Sequence, residues 1–195
     1  MRIHYSVLIL LLIYLYTNML IPFFIFFSSI LLHECGHMIF ILLFGGKIKK
    51  VELTIFGGRV DCIMPKNTFL EAMLINLGGV FVNIIILLID YKDYKHSLYI
   101  IEYNKLLIIF NLIPIFPLDG YRVCEEIFSR IFNPGKAFKV QSYLSCFLII
   151  VLFIISVIYN SIGLILITIL LFLKNIERIR KKDAIILKGM IKLFA

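Results

Sequence analysis

His33-Glu34-Cys35-Gly36-His37 is an H-E-x-x-H pattern. On a helix, residues four apart share one face, so both imidazoles can reach one Zn2+ while Glu34 stands beside them to take a proton from a water on the metal. Zinc brings that water's pKa towards neutrality and polarises a carbonyl, which is the chemistry of peptide-bond hydrolysis. A catalytic zinc takes three protein ligands and keeps one position open, so a third ligand is needed elsewhere. The chain offers Asn111-Leu112-Ile113-Pro114-Ile115-Phe116-Pro117-Leu118-Asp119-Gly120, an apolar run with two prolines that ends in an acid and a glycine. Proline removes backbone hydrogen bonds and unwinds a helix, which would let Asp119 turn inward. Taken alone, Asp119 reads equally well as the N-cap of an amphipathic stretch over residues 120–132.

The elements that position these residues must lie in lipid. Of the 195 residues 62% are hydrophobic and the mean hydropathy is +1.02, against roughly 45–50% apolar content in soluble domains. Polar stretches are short, so one membrane-embedded domain over residues 1–195 is expected, with no CBS or PDZ domain. Residues 5–44 would make a single helix about 60 Å long, twice the hydrocarbon thickness, and must fold back. Thr17, Asn18 and Pro22 mark the break, giving a short first span over 6–16 and a second over 21–44. A third is expected over 69–89 and a fourth over 98–117, unwound at its end by Pro114 and Pro117. Residues 138–173 divide into a fifth and a sixth at Tyr159, Asn160, Ser161 and Gly163. The fold class is therefore all-α and polytopic, with about six transmembrane helices. Lys49 to Phe56 and Arg59 to Met64 alternate apolar and polar residues around Gly57-Gly58, which reads as a small hairpin on the cytoplasmic side.

Helical counting puts His33 and Glu34 about 15 Å from the end of the second span, close to mid-membrane. An unpaired acid there costs about 2.5–3.5 kcal/mol on insertion scales, so an acid flanked by two histidines calls for a partner such as a metal. Charge and cysteine content narrow the function classes further. The net charge is +8, but the basic residues lie in loops and the tail beside apolar spans, as topology and anionic lipid require, so nucleic acid is excluded. Arg2, the group from Lys47 to Lys66, the group from Arg122 to Lys139 and the tail from Lys174 onward all fall on one side, which places both termini in the cytoplasm. Arg178, Arg180, Lys181 and Lys182 read as a topology anchor. Cys35, Cys62, Cys124 and Cys146 have no paired spacing, so neither a disulfide framework nor a cysteine zinc site is indicated.

Together these two segments carry a resemblance. H-E-x-x-H in one span, followed some eighty residues later by N-x-x-P-x-x-x-x-D-G, resembles the site-2 protease family of intramembrane zinc metalloproteases. Gly78-Gly79-Val80-Phe81-Val82-Asn83 is similar to the family's middle-helix G-P-x-x-N motif, with Val80 in place of the proline. The likeness covers about residues 20–135, a three-helix catalytic core. It implies His33, His37 and Asp119 as ligands of one Zn2+ and Glu34 as general base. Asn111 and Asn83 resemble residues that orient substrate or stabilise the oxyanion. The short first span and the wording around Asp119 are most similar to the sporulation subgroup. That subgroup implies a pro-sigma factor or another membrane-anchored regulator as protein substrate, the membrane surrounding the forespore as location, and inhibitory membrane partners. The competing class is a membrane zinc-binding scaffold or metal transporter built on the same cluster, which would have no need of Glu34 as a non-ligand carboxylate.

Overall fold

The computed structural model describes residues 2–3, 15–16, 18–54, 57–63, 68–89, 95–182 and 186. The expected first span over 6–16 lies almost wholly outside the described residues. By internal contacts the chain divides into two compact units, Met1–Phe110 and Asn111–Ala195.

The first unit contains β1 (Arg2–Ile3), α1 (Leu20–Leu43), β2 (Lys47–Thr54), β3 (Gly57–Ile63), α2 (Phe69–Leu87) and most of α3 (Ser97–Leu112). Helix α1 turns inside out the pattern of a soluble helix: Ser29, His33, Glu34, Gly36 and His37 are buried, while Phe24, Leu32, Ile39 and Leu42 are exposed. An apolar exterior around a polar interior is the arrangement lipid demands. Helices α1 and α2 are long and apolar enough to cross a bilayer, as is the helix Pro134–Ile158 of the second unit. The chain is an integral membrane protein. Thr68 and Glu71 form a reciprocal capping box that fixes the start of α2, with the Glu71 N–H donating to Thr68 Oγ1 at 3.3 Å and the Thr68 N–H donating to Glu71 Oε2 at 2.7 Å. Asn104 of α3 docks on α1, its Nδ2 donating to Ser29 Oγ at 3.1 Å.

The hairpin is present, with a register that differs from the one expected. Leu53 pairs with Gly58 and Thr54 with Gly57, so both glycines sit inside β3 and the connection falls at residues 55–56, outside the described residues. Arg2 and Ile3 add a parallel strand beside Glu52 and Leu53, making a three-stranded sheet in the order β1-β2-β3. Residue alternation could not reveal that pairing, because two residues carry no periodic signal.

The second unit contains the unwound segment 113–118, α4 (Asp119–Ile131), α5 (Pro134–Ile158) and α6 (Ile162–Arg180). Helix α3 stops at Leu112, before Pro114, because the residue before a proline is pushed out of the helical region. Asn133 caps α5 by accepting from the Lys136 N–H at 2.9 Å, with Pro134 at the first helical position, where its missing N–H costs nothing. The break between α5 and α6 falls where the turn residues placed it, and Asn160 takes a left-handed φ of 48°.

Candidate active site

On α1, His33 and His37 lie one turn apart and both are buried. His37 Nδ1 is 2.8 Å from the Ile75 carbonyl, which can only accept, so Nδ1 carries the proton and Nε2 presents a lone pair. Asn83 Oδ1 faces His33 Nδ1 at 3.0 Å and selects the same tautomer there. The Nε2 atoms of the two rings stand 3.2 Å apart. Two nitrogens each about 2.0–2.1 Å from a tetrahedral zinc are about 3.3 Å apart, so the pair fits zinc. Glu34, 6% exposed, occupies the same turn.

Glycines make this arrangement sterically feasible. A Cβ on Gly36 would collide with the Gly78 carbonyl of α2, and a Cβ on Gly78 would stand 2.7 Å from the Gly36 oxygen, so the two helices touch backbone to backbone. Beside that contact, a Cβ on Gly79 would overlap the His33 ring at its Nε2 edge. Gly79→Ala is therefore expected to swing the imidazole out of line and weaken zinc binding by about tenfold or more, read by chelator competition on the purified protein. Unchanged affinity would show that the ring has room to spare.

In the second unit, Asp119 is the first residue of α4 and is 8% exposed. The N-cap is Leu118 rather than Asp119, so the carboxylate is not consumed as the cap of the amphipathic helix that follows. Gly120 packs against the end of α3, where a Cβ would meet the Leu112 carbonyl and stand 2.7 Å from the Ile113 oxygen. This contact gives the glycine of the D-G pair a steric reason. Asn111 is half-buried in the last turn of α3. Next to Asp119, burial pushes the Tyr121 phenol up to about 12, with Arg178 opposing, so the ring stays neutral at any physiological pH.

Sequence reasoning missed the second-rank residues. Asn83, expected at the substrate or oxyanion, faces His33 through its Oδ1, a contact with a side chain that the sequence did not reveal. Arg178 was read with Arg180, Lys181 and Lys182 as a lipid anchor. Those three are exposed, but the Arg178 side chain is 12% exposed and lies over the rings of Phe116, Tyr121 and Phe138. The available signal was spacing: Asn175 and Arg178 share one helix face, as do Gln141 and Ser145.

This is the fold of a site-2 protease. The structure matches the site-2 protease from Methanocaldococcus jannaschii with a TM-score of 0.65 at 24% identity, covering 90% of this chain and 88% of that one. In sequence, the chain is 28% identical over 158 residues to a zinc metalloprotease of Methanocaldococcus jannaschii, covering 77% of this chain and 47% of that protein. It is 30% identical over 139 residues to stage IV sporulation protein FB of Bacillus subtilis, covering 65% of this chain and 48% of that protein. The chain thus spans about half the length of these two relatives. No family model matches. The resemblance to the site-2 protease family carried by the motifs is borne out in both sequence and fold.

Proposed function

We propose that this chain is an intramembrane zinc metalloprotease, a metalloendopeptidase that cuts a peptide bond of a membrane-associated protein. The observation that carries the reading is the pair of imidazole Nε2 atoms 3.2 Å apart, the separation two ligands of one tetrahedral zinc would have, on an apolar helix with buried Glu34 in the same turn. Asp119 is the third ligand in this reading. His33, His37 and Asp119 are all buried and make up a set of ligand-bearing residues able to hold a metal ion. Two histidines and a carboxylate suit zinc, and the names of the relatives support that choice.

Zinc, when bound, supplies a water of lowered pKa and a Lewis acid for the scissile carbonyl. Glu34 takes the proton of the attacking water and returns it to the departing amine. Asn83 holds the His33 ring by its Nδ1 proton, and the Ile75 carbonyl does the same for His37. Asn111 keeps the part in orienting substrate or stabilising the oxyanion that the resemblance implies. The buried, polar interior of α1 shields the site from bulk lipid, and the small helix contacts keep its parts in place.

The remaining features of the reading belong together. The reading takes six spans, a three-helix core over about residues 20–135 and one protease domain over 1–195; three of the described helices, α1, α2 and α5, are long and apolar enough to cross a bilayer, and the fold neighbour supports the arrangement. The basic loops support cytoplasmic termini and a site opening to the cytoplasmic side. The likeness to stage IV sporulation protein FB supports a pro-sigma factor as substrate, the membrane around the forespore as location and inhibitory membrane partners as regulators. The test is cleavage by the reconstituted chain of a membrane-anchored peptide carrying a pro-sigma-type segment. Chelator is expected to stop it and added Zn2+ to restore it, with a loss of at least about a hundredfold in between. Cleavage that persists in chelator would overturn the reading.

A further inference from the structure

Segment 113–118, just before Asp119, is unwound, and its backbone polar groups need partners if it lies at membrane depth. The partners come from α5 and α6. The Phe116 N–H donates to Ser145 Oγ at 3.3 Å, the Ser145 hydroxyl donates to Asn175 Oδ1 at 2.7 Å, and Asn175 Nδ2 donates back to the Phe116 carbonyl at 3.0 Å. The three bonds close a ring around both backbone groups of one residue. The second Asn175 proton goes to the Leu171 carbonyl at 3.1 Å, so this side chain has no unused hydrogen-bonding group. Ser145 is 0% and Asn175 2% exposed.

A second set of contacts holds the other side of Asp119. Gln141 Nε2 donates to the Tyr121 carbonyl at 2.6 Å. The Arg178 guanidinium lies 4.9 Å from the Phe116 ring centre and 4.5 Å from that of Tyr121, and pairs with Glu125 at 2.6 Å. Phe116 stands three residues before Asp119 and Tyr121 two residues after it, so both flanks of the carboxylate are fixed by side chains from outside the segment. Four polar residues in the last two apolar helices is a costly arrangement in lipid unless their contacts are used.

We propose that Asn175, Ser145, Gln141 and Arg178 are positioning residues that preset Asp119 for the metal, so that the last two helices determine metal affinity without touching the ion. This rests on the reading of Asp119 as a zinc ligand. A role confined to satisfying the backbone would stabilise the second unit without acting through Asp119.

The experiment is a double-mutant cycle on the full chain, read by zinc competition with a chelator and by amide exchange of the zinc-free protein. Asn175→Leu is expected to weaken zinc by about ten- to a hundredfold, the range of losses when groups behind a ligand are removed. In an Asp119→Ala background the same change is expected to cost nothing further. Exchange at the Ile115 and Leu118 amides, bonded within the segment to the Ile113 and Ile115 carbonyls, is expected to speed up in the zinc-free Asn175→Leu protein while overall helicity holds. Should Asn175→Leu fail to fold, Ser145→Ala opens the same ring with a smaller change and carries the same expectation. Unchanged affinity, or an equal loss in both backgrounds, overturns the proposal. If Asp119→Ala binds zinc as tightly as the unaltered chain, the ligand assignment fails instead; the clamp then stands or falls on the exchange of those two amides.

Discussion

Replacing Glu34 by glutamine is expected to abolish peptide cleavage while leaving fold and metal in place. Glutamine keeps the volume of the side chain and its capacity to hydrogen-bond a water, yet it cannot accept that water's proton, so only the general-base step is removed. A positioned base contributes about 10²–10⁴-fold, so the loss should reach at least two orders of magnitude. The measurement is cleavage of a membrane-anchored substrate alongside zinc content of the same preparation. It also separates a protease from a membrane metal scaffold or transporter, which would keep both zinc and biological activity after the change. Cleavage above about a tenth of the unaltered rate, with normal zinc, would remove Glu34 from the role.

Combined replacement of His33 and His37 by alanine is expected to leave the purified protein with less than about a tenth of a zinc per chain, since a single carboxylate cannot hold the ion at a catalytic site. The backbone contact between Gly36 and Gly78 does not involve either imidazole, so α1 and α2 should stay paired even though the change also removes the hydrogen bonds of the two rings to Asn83 and Ile75 on α2. Circular dichroism supplies the control. Loss of the two ring contacts to α2 should be accompanied by some loss of thermal stability. Stoichiometric zinc surviving in this variant would locate the site elsewhere.

The sequence was informative wherever local chemistry decides the outcome. The third expected span, 69–89, compares with Phe69–Leu87, because a capping box sets its start and apolar content sets its length. Prolines at 114 and 117 announced the unwound segment, and Asn160 with Gly163 announced the break between the last two helices. The fifth span, expected from residue 138, begins four residues earlier, at Pro134. Asn133 and Pro134 form a cap and first-turn pair that outweighs Lys136 and Lys139 as a boundary signal. What could not be read was partnership across the chain. Nothing near Asn83 in sequence says that it faces a histidine fifty residues away, and Arg178 sits among exposed basic residues that conceal its burial under three rings. The H-E-x-x-H residues were legible because their relationship is internal to one helix, whereas the glycines that give the rings room depend on which helix lies alongside.

The backbone contact between Gly36 and Gly78 makes the first two helices a pair of levers with a common pivot. Neither glycine puts a side chain into the contact, so the gap between the two backbones is set by van der Waals radii, with Val82 and Phe40 packed at its edges. His33 lies about 4.5 Å and His37 about 1.5 Å along the axis from the pivot, while Leu20 at the far end of α1 lies about 24 Å away, at 1.5 Å per residue. A tilt of about 10° imposed by a thinner or thicker bilayer would carry Leu20 sideways by about 4 Å but His33 by less than about 1 Å. The histidine pair is thus mechanically insulated from the membrane around it. Lipid composition is free to rock the ends of the helices while the distances from the two rings to their partners on α2, Asn83 and Ile75, change little.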